Sequence, residues 1–278
     1  MREYKIGVFD SGLGGLTVLR GLIKVLPEYD YLFLGDTANL PYGTKSAEKI
    51  YELTLKAVDF LFKRKCYLVI LACHTASARA LRRIQREYLL QKYPARRVLG
   101  VTIPLCEAIS ENSSRNTKVG VLATEATCAA KNFERELRKI NPRIKVFCQA
   151  ASPLVPIIEQ GKLNQKKLNF CLENYLGTLL EKRISILALG CTHFPLVKKQ
   201  IEKIIDERIV EKKIKIFSAD EVVPGKLKDY LVRHPEIEEK ISKGGKRDYL
   251  LSAWNPEFEK MAKKFFRAEI KTKLTKIN

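Results

Sequence analysis

Long hydrophobic runs are absent: no stretch of about 18 or more apolar residues occurs, so a transmembrane helix is not expected. The N-terminus passes directly into the strand-like Tyr4-Lys5-Ile6-Gly7-Val8-Phe9, which predicts no signal peptide and a cytoplasmic location. Paired cysteine spacing is absent as well. The seven cysteines, at positions 66, 73, 106, 128, 148, 171 and 191, are odd in number and scattered. That distribution argues against a disulfide framework or a zinc finger and leaves most of them as small buried hydrophobes. The cluster Gly12, Gly14 and Gly15 lacks both the Gly-x-Gly-x-x-Gly spacing and a Lys-Ser/Thr ending, so it does not read as a nucleotide loop. No short repeat points to a solenoid.

What is present is a globular composition. With 278 residues, 46% of them hydrophobic, the chain can bury the cores of two modest domains. Lysine and arginine number 51 against 31 acidic residues, a net charge of +20, which attracts polyanions and would also draw in an acidic substrate. The bases alternate with acids along amphipathic segments such as Lys198-Lys199-Gln200-Ile201-Glu202-Lys203 and are not gathered with aromatics. We read them as solvated helix faces and expect neither a specific nucleic-acid partner nor a membrane partner.

Strand-like runs end near Asp10, Asp36, Cys73, Thr102, Thr124, Ala150, Gly190 and Ser218, with amphipathic stretches of helical period between most of them. This alternation predicts an α/β protein with parallel sheets flanked by helices. Lys49 to Lys63, for example, sets Ile50, Leu53, Ala57, Val58, Phe60 and Leu61 among charged residues, as a helix packed on a sheet requires. A further strand over Asp248–Ser252 precedes a helix over Pro256–Phe266, with Asn255 as its cap. The last twelve residues read as frayed. Boundaries are expected around Arg96–Leu99 and Glu211–Lys215.

Two cysteines stand apart from the rest. Ala72-Cys73-His74-Thr75-Ala76 follows the apolar run Tyr67–Leu71, and Gly190-Cys191-Thr192-His193-Phe194 follows Ile184–Leu189, 118 positions later. Each thiol thus stands where a buried strand ends and a helix-like stretch begins. Ligand sites of open α/β sheets lie beyond such strand ends, and a helix N-terminus lowers a thiol pKa below its free value of about 8.5. Two matched thiols suggest a two-base site. Read from the residues alone, a single cysteine after a strand is usually core, Asp10 could be a helix cap, Thr124 and Thr127 could cap the next helix, and Glu159 could merely precede a turn at Gly161.

Taken together, Gly7-Val8-Phe9-Asp10-Ser11-Gly12, Gly14-Gly15-Leu16-Thr17, Gly35-Asp36-Thr37, Pro41-Tyr42-Gly43, Ala72-Cys73, Thr75-Ala76-Ser77-Ala78, Val155-Pro156-Ile157-Ile158-Glu159 and Gly190-Cys191-Thr192-His193-Phe194-Pro195-Leu196 resemble the glutamate racemase family, of the aspartate/glutamate racemase fold. The resemblance implies two similar α/β domains with the active site in the cleft between them, residues 1–98 with 212–278 forming the first and 99–211 the second. It implies racemisation of glutamate without a cofactor, in a cytoplasmic protein that supplies D-glutamate for peptidoglycan, and a chain that self-associates as a dimer. Cys73 and Cys191 would be the catalytic acid and base, Asp10 assisting the first, His193 and Glu159 the second. Substrate contacts would come from Asp10, Ser11, Pro41, Tyr42, Gly43, His74, Thr75, Thr124, Thr127, Thr192 and His193. No lysine occupies these motifs, and pyridoxal phosphate is not expected.

The chain departs from the family pattern at His74, where asparagine is usual, at Ala130, where serine is usual, and in a Ser152–Pro156 segment one residue short. A protonated His74 would stabilise the Cys73 thiolate; a neutral one could still donate one hydrogen bond. Two other readings stay open here, a racemase of another acidic amino acid such as aspartate and a non-catalytic binding protein blocked by His74. Cys73, His74, Cys191 and His193 also form a set of soft donors suited to zinc, but no native metal site is expected.

Overall fold

A computed structural model describes residues 3–160, 165–209 and 213–277. Ten strands are present among them: β1 (Lys5–Asp10), β2 (Tyr31–Gly35), β3 (Cys66–Leu71), β4 (Arg97–Gly100), β5 (Lys118–Ala123), β6 (Lys145–Ala150), β7 (Ile186–Gly190), β8 (Lys215–Ser218), β9 (Arg247–Leu251) and β10 (Thr272–Leu274). They form two sheets, one of six strands in the order β10-β9-β2-β1-β3-β4 and one of four in the order β6-β5-β7-β8. Every pairing is parallel. Helices cover both faces of each sheet, so β2 and β7 are buried along their whole length. Their near-continuous apolar sequences have that cause.

Each sheet carries one apolar cluster per face. In the six-stranded sheet, Ile6, Val8, Leu68 and Ile70 pack with the helices Leu16–Val25 and Ala219–Arg233, while Phe9, Leu34, Val69 and Leu71 face the helix Ala47–Lys63. That helix is capped by Ser46, whose hydroxyl accepts from the Lys49 N–H. In the smaller sheet, Leu122, Leu187 and Leu189 face the helices Gln165–Leu180 and Lys198–Arg208, and Val119, Val121 and Ile186 face Thr102–Glu111 and Asn132–Ile140. The α/β expectation holds in both.

The two sheets share one wiring. In the larger, β1 lies between β2 and β3; in the smaller, β5 lies between β6 and β7. The chain therefore leaves the central strand to one side and then crosses to the other, which opens a crevice at the carboxyl ends of the central pair. Asp10 ends β1 and Cys73 lies two residues past β3, whereas Thr124 directly follows β5 and Cys191 directly follows β7. The repeat visible in sequence as two cysteine turns is a repeat of this switch point.

Three expectations are corrected. The terminal segment is not frayed throughout, because Thr272–Leu274 adds β10 to the edge of β9. The strand expected to end near Thr102 is β4, and its Val98, Leu99 and Gly100 pair with β3, so the expected division at residue 98 would cut it. Lys215–Ser218 pairs with β7 and belongs to the smaller sheet rather than with the residues that follow it. The other expected boundary, between 211 and 212, lies outside the described residues.

The chain returns to the larger sheet along Ala219–Arg233, which packs against Leu16–Val25 at Gly21. A Cβ at Gly21 would collide with the Asp220 carbonyl oxygen. On an open helix, alanine would be the better residue by about 1 kcal/mol; here overpacking wins. Gly21→Ala should destabilise the protein by about 1–3 kcal/mol, measured as a lower urea midpoint, and a raised midpoint would show that the crossing is looser than described.

Candidate functional site

Facing switch points bring the turns after β1, β3, β5 and β7 around one cavity of about 330 Å³. Its wall includes Ser11, Pro41, Tyr42, Gly43, Cys73, His74, Thr75, Thr124, Cys191, Thr192 and His193. Three other expected residues stand behind that wall: Asp10 is fully buried, Thr127 is bonded to the wall threonines, and Glu159 backs His193. Ser152, Val155 and Pro156, which the sequence placed in motif segments without a role at the site, also line the cavity, as does Glu125, which was not singled out by sequence.

Cys73 caps the short helix His74–Arg79, its sulfur accepting from the Ala76 N–H at 3.4 Å. Ser11 Oγ lies 3.3 Å from the same sulfur. The helix N-terminus does not lower this thiol as its position in sequence suggested. Burial, reinforced by the neighbouring Asp10 carboxyl, pushes it up to about 12, against the Ser11 and Ala76 hydrogen bonds. Asp10 accepts from the Gly12 N–H at 3.0 Å and from Thr192 Oγ1 at 3.3 Å. It is therefore not a helix cap but a tether between the two lobes, the first built on the six-stranded sheet and the second on the four-stranded one. Burial raises its pKa, while the charge of His193 and the hydrogen bonds oppose the rise.

The second thiol has a different environment. Cys191 Sγ lies 3.9 Å from His193 Nδ1, and His193 Nε2 is 2.9 Å from Glu159 Oε1. Burial would lower the His193 pKa, but its bonds to Cys191 and Glu159 outweigh burial and raise it to about 10. The imidazolium form then donates to both neighbours at neutral pH. The first lobe supports this pair from behind: Phe265 meets the His193 ring edge-on at 5.0 Å, and Lys264 Nζ donates to the Ile158 carbonyl at 2.8 Å. Neither contact has a signal in the sequence, because the helix Pro256–Phe266 that provides them lies far along the chain.

A hydroxyl cluster also joins the lobes. Thr75 Oγ1 is 2.9 Å from Thr124 Oγ1, which is 3.0 Å from Thr127 Oγ1. Thr124 also caps the helix Glu125–Ala129, so the capping role and the cavity role coincide in one residue. Arg79 Nε donates to the Ala126 carbonyl and Asn132 Nδ2 to the Ala78 carbonyl. Gly14 completes the fit, since a Cβ there would collide with the Thr192 hydroxyl. The Pro41–Tyr42–Gly43 wall is held by Asp36, which accepts from Tyr42 Oη at 2.6 Å and from Ser252 Oγ at 2.7 Å. Burial and that carboxylate raise the phenol, which stays protonated.

His74 is 1% exposed, its ring stacked on Phe133 of the other lobe at 6.0 Å, and neither ring nitrogen has a partner. Burial pulls its pKa down to about 3. The protonated form considered from sequence is thus excluded at neutral pH, and His74 puts no positive charge beside Cys73. Among the described residues, no three His, Cys, Asp or Glu side chains are grouped to hold a metal ion. The cysteine reading is corrected at one place: Cys128 and Cys148 form a disulfide, with Cα atoms 5.6 Å apart. Twenty residues apart in sequence, they meet because β6 lies beside β5, a neighbour relation that spacing alone does not encode.

The His74 shift has a sign that can be measured. Its folded pKa lies below the unfolded value of about 6.5, so the unfolded chain binds the extra proton between pH 6.5 and about 3 and stability falls as pH falls through that window. The limiting slope is about 1.4 kcal/mol per pH unit. His74→Asn should flatten urea-derived stability against pH there, relative to the parent. Equal slopes in the two proteins would place a charged His74 in the folded state.

The model of the Asp/Glu/Hydantoin racemase family matches residues 6–213. The chain is 38% identical to the glutamate racemase of Ruegeria sp. (strain TM1040) over 276 residues, covering 95% of this chain and 97% of that one. It is 40% identical to the glutamate racemase of Roseobacter denitrificans over 241 residues, covering 83% and 86%. Among solved structures, glutamate racemase from Francisella tularensis in complex with D-glutamate superposes with a TM-score of 0.87 at 28% identity, covering 100% of this chain and 99% of that one. The match spans both switch points and both cysteine turns, and the chain belongs to the Asp/Glu/Hydantoin racemase family.

Proposed function

We propose that this chain interconverts L- and D-glutamate without a cofactor, Cys73 and Cys191 exchanging the α-proton from opposite faces of the substrate. The observation that carries the reading is the placement of two thiols from two opposed sheets in one cavity wall, each with its own polar partner. Inverting a carbon centre needs a base on one face and an acid on the other. The relatives at 38% and 40% identity are glutamate racemases, and the superposed structure holds D-glutamate, which favours glutamate over aspartate.

In one direction Cys191, without its proton, removes the α-hydrogen while the Cys73 thiol delivers a proton to the opposite face; in the other the roles exchange. His193 gives the anionic Cys191 sulfur a cationic neighbour, and Glu159 holds that ring in place. Ser11 does the corresponding work for Cys73 through one hydrogen bond. Asp10 orients Thr192. The substrate carboxylates would meet the hydroxyls of Ser11, Thr75, Thr124 and Thr192 and the turn amides at Tyr42 and Gly43, with Thr127 fixing the threonine pair and Pro41 shaping the wall. Neutral His74 leaves room for turnover beside Cys73 and offers a hydrogen bond without a charge. The consumer of the product is proposed, from the family resemblance, to be peptidoglycan synthesis.

The sheets are further proposed as two domain cores, residues up to 100 with those from 219 onward, and 101–218. Closure on glutamate would reduce the radius of gyration in small-angle scattering; an unchanged radius counts against it. The chain is also expected to be a homodimer, which light scattering at the column peak would decide.

Circular dichroism of the protein with either enantiomer tests the activity. The signal should decay to zero from both sides, with deuterium entering the α-position in deuterated buffer, and Cys73→Ala and Cys191→Ala should each lower the rate at least about 100-fold. Decay with aspartate and none with glutamate would make this an aspartate racemase; no decay with either, in folded protein that binds glutamate, would make it a binding protein. His193, raised to about 10 by its partners, carries its stabilising charge below that pH and loses it above. Glu159→Gln removes one of those partners, so the alkaline limb of kcat/KM should move to lower pH; an unmoved limb would assign it to another group.

A further inference from the structure

The Cys128–Cys148 bridge lies outside the chemistry described above, yet it is attached to one of its walls. Cys128 is in the helix Glu125–Ala129, which begins at the capping residue Thr124 and contains Thr127. Five residues cannot hold a helix in water by themselves. This one is tied to the smaller sheet at both ends: Ser152 Oγ accepts from the Glu125 N–H at 2.9 Å, and the disulfide joins Cys128 to β6. β6 is the outer strand of its sheet, and Cys148 is exposed there while Cys128 is half-buried. The other five cysteines are free thiols, four of them buried.

The same short helix carries the seam between the lobes. Its Thr124 and Thr127 hydroxyls meet Thr75, its Ala126 carbonyl receives Arg79, and Asn132, just beyond it, reaches Ala78. The turn that follows is closed by the Lys131 N–H on the Cys128 carbonyl at 3.0 Å. Cys128 is therefore a fixed point between the threonine cluster and the lobe contact.

We propose that Cys128 and Cys148 form a redox-reactive site whose oxidation state sets how tightly the Thr124–Thr127 wall is held, and hence the affinity for substrate; the second half of this statement rests on the proposed function of the cavity. The reactant is a dithiol. One of its thiolates attacks the exposed Cys148 sulfur and expels Cys128 as a thiolate, which takes up a proton. The second thiol of the reagent then attacks its own sulfur in the mixed disulfide, releasing Cys148 as a thiol and leaving the reagent as a cyclic disulfide. Two electrons and two protons pass to the protein. A small-molecule disulfide reverses the exchange.

Reduction cuts the tie at one end of the helix and keeps the other, at Ser152. Contacts made by Thr124 and Thr127 to substrate and transition state alike would weaken together, which raises KM and leaves kcat largely in place. Oxidation of Cys73 or Cys191 would instead abolish kcat, so the two effects separate.

The test uses the whole chain in two states, treated with oxidised glutathione or with dithiothreitol and then freed of reagent. Thiol titration under denaturing conditions should count the five free cysteines in the first state and all seven in the second. KM for glutamate should be at least about threefold higher in the reduced state, with kcat within about twofold. Cys128→Ser and Cys148→Ser should hold the higher KM in both states. Seven thiols after oxidation would overturn the bridge without touching the proposed activity. Five thiols with an unchanged KM, or serine variants that respond to reagent as the parent does, would overturn the control of the wall. Absence of racemisation in every state would count against the proposed function and, through it, against that control, while leaving the thiol count to decide the bridge.

Discussion

Two thiols can serve one carbon atom only if two separate strand ends are made to face each other, and this constraint accounts for most of what the fold does. Each lobe repeats a central strand with neighbours wired to either side, so each opens a crevice at its carboxyl ends. Placed crevice to crevice, the lobes enclose one cavity lined by both Cys73 and Cys191. The bonds that hold this arrangement are few and specific. Thr192 reaches Asp10, Thr75 reaches Thr124, and Arg79 and Asn132 cross the seam to backbone carbonyls. Close approach at Gly14 permits the fit, since a side chain there would collide with Thr192.

The electrostatics of the two walls are unequal. Cys73 is buried beside a carboxyl and a hydroxyl, and its thiol is pushed upward. Cys191 faces a histidine whose own charge is sustained by Glu159. The two sulfurs therefore sit in different company, one beside a carboxyl and the other beside a histidine. Histidine at position 74 does not upset that balance, because burial against Phe133 keeps it neutral. The substitution changes shape and hydrogen bonding while leaving the local charge alone.

Support for the site comes from distant parts of the chain. The helix Pro256–Phe266 brings Phe265 against His193 and Lys264 against Ile158, and Ser252 braces the Asp36 carboxylate that holds Tyr42. Asp36 belongs to a motif visible in sequence whose purpose was not; it positions a wall residue. The disulfide between Cys128 and Cys148 belongs to the same group of supports.

Local sequence determined the elements and the chemistry of the walls. Apolar runs ending at Asp10, Cys73, Thr124 and Gly190 mark strand ends because both sheet faces are covered, and Asn255 with Pro256 marks a helix start because a cap and a fixed φ act within one turn. The two cysteine turns were legible for the same reason, since each stands at such an end, whereas the threonines and His193 were picked out by the family resemblance and Thr124 and Thr127 read from the residues alone as helix caps. Tertiary structure decided what depends on partners remote in the chain. The thiol of Cys73 goes up rather than down because burial outweighs a single helix terminus, His74 is neutral because Phe133 covers it, and β4 and β8 join the sheets that their pairing dictates. Cys128 meets Cys148 because the short helix that follows β5 lies against the neighbouring strand β6, and Glu159 matters because a folded lobe brings it within 2.9 Å of His193. Desolvation and long-range pairing are properties of the assembled chain, and no window of sequence contains them.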